Sequence, residues 1–285
     1  PALPRSSPGA RSRMKLDLHI HTNASDGAWP PREVVAAAAS GGLHVIAVAD
    51  HDTTAAVAVA RAAGRERDVQ VIPALEMSST WEDREIHILG YYVDPEDAGL
   101  REHARRAATL REARMREMVS RLSARGVEVP FGEVVEAAGP EAGALSRPHL
   151  AKVLVAHGFA SSVADAFNSL IGDQHAAFVP TRLQPPEAAI ERILAAGGLP
   201  VWAHPPGDLV DSLLGTLRGA GLEGLEVYRP NHRRNDVLRL EEVCRTTGLV
   251  ATGGSDWHTP DGGTRLGDFF VLAEEVRSFL DAGGM

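Results

Sequence analysis

The run His44-Val45-Ile46-Ala47-Val48-Ala49-Asp50 constrains the architecture of this chain more than any other stretch. It is almost continuously apolar, as a strand buried on both faces must be, and such strands belong to parallel sheets covered by helices. Its neighbours fit that placement. Before it, Pro30-Pro31 lead into the alanine-rich segment Arg32 to Ala39, a helix stopped by Gly41-Gly42. After it, a helix is predicted over Thr54 to Arg65, followed by Val69 to Glu76, a strand that ends in a carboxylate. Upstream, Leu16, Leu18 and Ile20 alternate with Asp17, His19 and His21, the period-2 pattern of a strand whose alternate residues share a face. The β-α-β-α-β order defines an α/β fold.

Further along, Ile86 to Val93 adds a fourth strand that carries His87. From about Asp97 the chain turns to long Arg- and Ala-rich amphipathic stretches without a strand between them, which we read as an inserted helical subdomain over 97–183. Strand signals return in Leu199 to His204, Gly224 to Tyr228 and Leu249 to Asp256. The expected organisation is therefore a tail over 1–13, a barrel in two parts over 14–96 and 184–285, and the helical insert between them. Pro1 to Arg13 lack an apolar segment, so they resemble neither a signal peptide nor a structural element, and Met14 is the expected natural start.

Composition narrows the classes of function. The 285 residues are 44% hydrophobic and 24% charged, a globular balance. Cys244 is the sole cysteine, which excludes an internal disulfide framework and fits a cytoplasmic location. No apolar run approaches the ~20 residues of a membrane helix. The net charge of −9 argues against a broad nucleic-acid-binding surface. An anionic substrate stays open, because bound divalent cations can outweigh nearby carboxylates.

The chemistry collects at strand ends. His19 and His21 point the same way, and the turn formers Thr22-Asn23-Ala24-Ser25-Asp26-Gly27 hang Asp26 just beyond them. Two imidazole nitrogens and a carboxylate oxygen suit a Zn²⁺- or Mn²⁺-like cation. Asp50-His51-Asp52, Glu76, His204 and Asp256-Trp257-His258 fall at or just after the ends of the other predicted parallel strands. In a βα barrel that rim is where functional loops gather. Each group alone has an ordinary reading as a capping turn or loop, but together they describe one rim.

These residues resemble the four motifs of the polymerase-and-histidinol-phosphatase (PHP) superfamily: His19-x-His21 with Ser25-Asp26-Gly27, Asp50-His51-Asp52, Glu76, His87, His204 and Gly254-Ser255-Asp256-x-His258. Within it the chain is most similar to the stand-alone phosphoesterases of the TrpH/YciV group, which act on nucleotide 5′-phosphates, nucleoside 3′,5′-bisphosphates or short RNA ends. The resemblance implies a distorted (β/α)7 barrel and up to three divalent ions, Mn²⁺, Zn²⁺ or Fe²⁺. One ion would take His19, His21, Glu76 and Asp256. A second would take Glu76, His87 and His204, and a third Asp26, His51 and His258. Glu76 then bridges, which a two-oxygen carboxylate can do.

In the insert, Ser146-Arg147-Pro148-His149 resembles the arginine-proline-histidine segment of these phosphoesterases, making Arg147 and His149 candidates for phosphate recognition. Relatives carry a glycine-lysine pair where this chain has Gln174-His175, so His175 is a third candidate. The implied reaction is hydrolysis of a small phosphorylated substrate, a nucleotide or short oligonucleotide, by a metal-bridging hydroxide, with the proton for the leaving oxygen from Asp256, His149 or His175. Two rival readings are an amidohydrolase-type C–N hydrolase and a non-catalytic metal-binding module. Many amidohydrolases bridge their metals through a lysine, and here only Lys15 and Lys152 exist, neither on a suitable barrel strand. His44, His103, His157 and His232 match no motif and are expected at the surface or in packing.

Overall fold

The computed structural model describes residues 13–181, 183–260 and 264–285. The tail expected over 1–13 falls, apart from Arg13, outside the described residues. β1 (Lys15–Ile20), α1 (Pro31–Ser40), β2 (Val45–Val48), α2 (Val57–Arg67) and β3 (Gln70–Trp81) follow one another as two successive βαβ units. β1, β2 and β3 pair in parallel. Their inward and outward faces both bury apolar side chains. Ile46 and Val48 pack outward against Val34, Val35, Ala38, Ala60 and Ala63 of the two helices, while Val45 and Ala47 join the barrel interior.

β3 departs from the expected outline. It runs on past Glu76 to Trp81, turns through Glu82 and Asp83, and returns as β4 (Arg84–Tyr91), paired antiparallel from Trp81↔Arg84 back to Ala74↔Tyr91. A two-residue connection can only make a hairpin, whereas a parallel strand needs a crossover of a dozen residues or more. Glu82 takes the left-handed conformation, φ 53°, that closes the turn. Glu76 therefore stands within a long strand rather than at its end.

β5 (Leu199–Trp202) pairs antiparallel with β4, and β6 (Gly224–Tyr228) and β7 (Val250–Gly253) continue in parallel from β5. Helices α7 (Pro186–Ala195), α8 (Val210–Gly219) and α9 (Arg234–Thr247) cover this half, burying Ile190, Ile193, Leu213, Leu217 and Leu240. The sheet order is β7-β6-β5-β4-β3-β2-β1-β8, where β8 (Val271–Leu272) lies antiparallel to the first residues of β1. At the other end of β1 the sheet almost closes on itself. Ile20 bridges to Trp257, Asp256 N–H donates to the His19 carbonyl at 2.8 Å, and His21 N–H donates to the Trp257 carbonyl at 2.9 Å. The expected α/β barrel is thus present, with β8 and α10 (Arg277–Ala282) plugging the end opposite the rim through Val271, Phe279 and Leu280.

Between β4 and β5 the chain builds α3 (Ala98–Ser123), α4 (Phe131–Ala138), α5 (Arg147–Ala156), the short α6 (Val163–Ala166) and a π-helical turn over Phe167–Ile171. Met115, Met118, Leu122, Val134, Leu150 and Leu154 form a core of their own there. No helix among the described residues is long and apolar enough to cross a membrane.

Candidate metal centre

The period-2 reading of β1 holds only over its first half. Asp17 lies opposite Ile46 and Ile20 opposite Val48, so β1 carries one extra residue between them. Such a bulge re-aims the side chains beyond it. Leu16 and Leu18 point into the barrel interior, but Ile20 joins the outer layer against α1 and α2. His19 and His21 both turn to the rim, their Nε2 atoms 3.1 Å apart and their rings fully buried.

Strand β7 must pass very close to this bulge. A Cβ on Gly254 would lie 2.3 Å from His19 Cβ, and one on Gly27 would lie 2.6 Å from the His21 carbonyl oxygen, so both positions require glycine. The turn that hangs Asp26 is fastened by Asp50, whose carboxylate accepts from Thr22 N–H, Thr22 Oγ and Ser25 Oγ, each at 2.7 Å.

Glu76 is the centre. It is fully buried, with Oε1 2.9 Å from His87 Nδ1 and 2.9 Å from His204 Nε2. Its Oε2 lies 3.4 Å from His19 Nε2, 3.4 Å from His21 Nε2 and 3.0 Å from His51 Nδ1. Asp256 Oδ1 is 3.5 Å from His19 Nε2 and 3.2 Å from His21 Nε2. Asp26 Oδ1 is 3.3 Å from His258 Nε2 and 3.9 Å from His51 Nε2. All the residues of the expected ligand set meet on one rim. Donor atoms gather within 4.8 Å of one another in overlapping groups: His19, His21, Glu76 and Asp256; His51, Glu76 and His87; His21, Asp26, His51 and His258. Neither lysine takes part, since Lys15 sits over the Phe270 ring and Lys152 lies on α5.

The chemistry of this set fits divalent cations. Glu76 Oε2, His21 Nδ1, His51 Nδ1 and His87 Nε2 are buried without a hydrogen bond, and buried polar atoms are ordinarily partnered. The charges agree. Burial opposes ionisation of Glu76, yet His87, His19 and His51 hold its carboxyl well below the usual range. Asp26 and Asp256 are likewise held well down by neighbouring histidines against the same burial. The imidazoles cannot all answer with protons. Burial, with repulsion from His258 and His51, lowers His21 to about 3, whereas Asp26 and Asp256 lift His258 to about 9 against burial. Ionised carboxylates amid partly neutral imidazoles are a donor set for a cation.

Several supporting residues escaped sequence reasoning. Glu226, fully buried on β6, lies 2.9 Å from His19 Nδ1 and accepts the His204 N–H at 2.8 Å. Its signal was a carboxylate between Leu225 and Val227 in an apolar strand. Arg229 donates to Asp256 Oδ2 at 2.7 Å. Asp52 accepts from Ser78 N–H at 2.8 Å, Arg111 at 2.7 Å and His103 Nε2 at 2.8 Å. His103 is therefore a buried packing residue rather than a surface one.

The insert candidates differ in their ties. His149 is buried, and its Nδ1 receives the Ser146 N–H at 3.2 Å; burial lowers its pKa to about 4, against the field of Asp26. Arg147 pairs with the exposed Asp173 and lies over the Phe167 and Phe178 rings. His175 Nε2 donates to the Asn168 carbonyl at 2.8 Å, within the insert.

A βα barrel whose rim gathers buried carboxylates and imidazoles around a shared glutamate belongs to the class of metal-dependent hydrolases. Residues 17–155 match the PHP domain family. The chain is 32% identical to a 5′-3′ exoribonuclease of Haemophilus influenzae over 92% of this chain and 96% of that protein. It is also 32% identical to a 3′,5′-nucleoside bisphosphate phosphatase of Chromobacterium violaceum, over 88% of this chain and 89% of the relative. A solved structure from Bifidobacterium adolescentis, assigned as a metal-dependent phosphoesterase, superposes with a TM-score of 0.85 at 32% identity, covering 93% of this chain and 95% of its own. The chain belongs to the PHP family.

Proposed function

We propose that this protein hydrolyses phosphate esters of nucleotides or short oligonucleotides with the help of bound divalent metal ions. The observation that carries the proposal is Glu76 Oε2, a buried oxygen with no hydrogen bond, facing nitrogens of three histidines. The relatives' names, an exoribonuclease and a nucleoside bisphosphate phosphatase, support the substrate class.

In this reading His19, His21, Glu76 and Asp256 hold one ion, Glu76, His87 and His204 a second, and Asp26, His51 and His258 a third. The mixed imidazole and carboxylate donors favour Mn²⁺, Zn²⁺ or Fe²⁺. When bound, such ions neutralise phosphate charge and bring the pKa of water down toward neutrality. The chain's own residues do the rest. Asp256 Oδ1 faces the rim, held there by Arg229 on Oδ2, and would relay the proton of the attacking water to the leaving oxygen. Arg147 grips phosphate oxygens with its guanidinium, leaving Asp173, a partner exposed enough to be given up at little cost. His149 is held neutral with Nδ1 occupied, so Nε2–H is its donor to the substrate. His175, with Nε2 already committed, offers Nδ1 to the outer part of the substrate.

The test is phosphate release by metal-reconstituted protein from a panel of nucleoside monophosphates, nucleoside 3′,5′-bisphosphates, short 5′-phosphorylated RNAs and sugar phosphates. Turnover of nucleotide esters that stops on chelation is the expected result. Turnover of sugar phosphates alone, or of none of the panel, overturns it.

A further inference from the structure

Among the described residues, six other than glycine adopt the left-handed conformation, and three of these stand on the rim: Asp52 (φ 59°), His204 (φ 31°) and Asp256 (φ 55°). Such a conformation costs any residue with a Cβ and persists only where the surroundings impose it. For His204 and Asp256 the barrel does so, through the His204 N–H on Glu226 and the Asp256 N–H on the His19 carbonyl. Asp52 is held from elsewhere.

Its place in the chain is critical. His51 bridges to Glu76 in the register that β2 keeps with β3, the Glu76 N–H donating to the Asp50 carbonyl at 3.1 Å and the Asp52 N–H to the Glu76 carbonyl at 2.8 Å. The turn at Asp52 then takes the chain off the sheet just past His51. That turn decides where the imidazole is delivered, with Nδ1 3.0 Å from Glu76 Oε2 and Nε2 3.9 Å from Asp26 Oδ1.

The buried Asp52 carboxylate is gripped from the insert. Oδ2 accepts from Arg111 Nε at 3.1 Å and Nη2 at 2.7 Å, while Oδ1 accepts from His103 Nε2 at 2.8 Å. Arg111 Nη2 also donates to Ser78 Oγ at 2.6 Å, which ties the turn to β3. His103, Ala107 and Arg111 follow at the four-residue spacing that aligns one face of α3. Arg105, Arg116 and Arg121 pair with glutamates of the same helix on its solvent side, whereas Arg111 turns inward and is 5% exposed. A buried ion pair adds little net stability, because desolvation takes back most of the attraction. What this one fixes is a geometry.

We infer that Arg111, supported by His103, is a positioning residue for the metal centre: from the insert it holds Asp52 in the left-handed turn that aims His51 at the rim. The inference rests on the metal reading of that rim. It makes α3 part of the framework of the site, in addition to the Arg147 and His149 that the insert carries.

The experiment is a chelator titration with elemental analysis of the gently purified protein. Arg111→Lys keeps the charge but loses the two-nitrogen grip, and it should release one divalent ion per chain at lower chelator than the native protein does. An unchanged titration overturns the inference. Two double variants isolate the backbone. Arg111→Met with Asp52→Gly and Arg111→Met with Asp52→Ala lack the same contacts and differ by one methyl group, but only glycine takes the left-handed conformation freely. The glycine variant should hold that ion about 5- to 30-fold more tightly than the alanine variant, a difference that a general weakening of the fold would not produce. Equal titrations of the two overturn the positioning role while leaving the metal reading intact. A native chain that holds no divalent ion overturns the metal reading and this inference with it.

Discussion

Glu226 Oε1 lies 2.9 Å from His19 Nδ1, and both side chains are fully buried. The contact fixes the tautomer: with the proton on Nδ1, Nε2 is left as a lone-pair donor toward Glu76 and Asp256. The same carboxylate holds the backbone N–H of His204, so one residue on β6 orients ligands from β1 and β5. Burial opposes the charge on Glu226, but His19, then Arg229, keep its carboxyl below the usual range. Replacing it with Gln keeps the shape and removes the charge. Metal affinity of Glu226→Gln should fall by about 10–100-fold, read as earlier metal loss in a chelator titration with elemental analysis. An unchanged titration would show that Glu226 serves packing alone.

Glu76 should be harder to replace. It sits where β3 leaves β2 for the hairpin and touches five imidazoles, so its loss removes the one carboxylate those five side chains share. Glu76→Gln should cut the metal content of the gently purified protein and reduce phosphate release to background. Full turnover in that variant would remove Glu76 from the mechanism.

Much of this arrangement was legible because strand burial and metal chemistry leave opposite marks on a sequence. The continuous apolar run before Asp50 announced a covered parallel strand, and histidines at strand ends are conspicuous among Val, Ile and Leu. What stayed hidden had no compositional mark. The extra residue in β1 is a matter of register, and nothing in Leu18-His19-Ile20 signals that Ile20 parts from Leu18. The hairpin turn Glu82-Asp83 lacks the glycine that usually advertises one, so β4 read as one more strand of unknown direction. Glu226 stands in an apolar strand with no neighbour in the sequence to show its role, since its partner His19 is far away in the chain.

Arg147→Ala tests the insert. The guanidinium lies over two phenylalanine rings and, among the described residues, pairs only with an exposed aspartate, so its loss should spare the fold. A lost charge-assisted phosphate contact is worth about 1.5–3 kcal/mol, which is roughly a 10- to 150-fold rise in KM, with metal content unchanged. Steady-state kinetics on the best nucleotide substrate decide it. An unaltered KM would leave Arg147 as the start of α5 and nothing more.

His149 carries a prediction about acid. Its imidazole is lowered from the ordinary 6.5 to about 4, chiefly by burial, with Lys152 adding to the shift and Asp26 opposing it. Between those values the unfolded chain binds a proton that the folded protein refuses, so stability is complete above about pH 6.5 and is lost as the pH falls toward 4. At pH 5 the difference of 1.5 units corresponds to on the order of 2 kcal/mol. Glutamine in its place cannot titrate. Urea unfolding at pH 7 and pH 5 should therefore show a larger acid-induced loss of stability for the native chain than for His149→Gln. The metal-ligand histidines titrate alike in both and cancel in the comparison. Identical losses would mean that His149 is as free to protonate in the folded protein as in the unfolded chain, and would return it to consideration as the proton donor to the leaving oxygen.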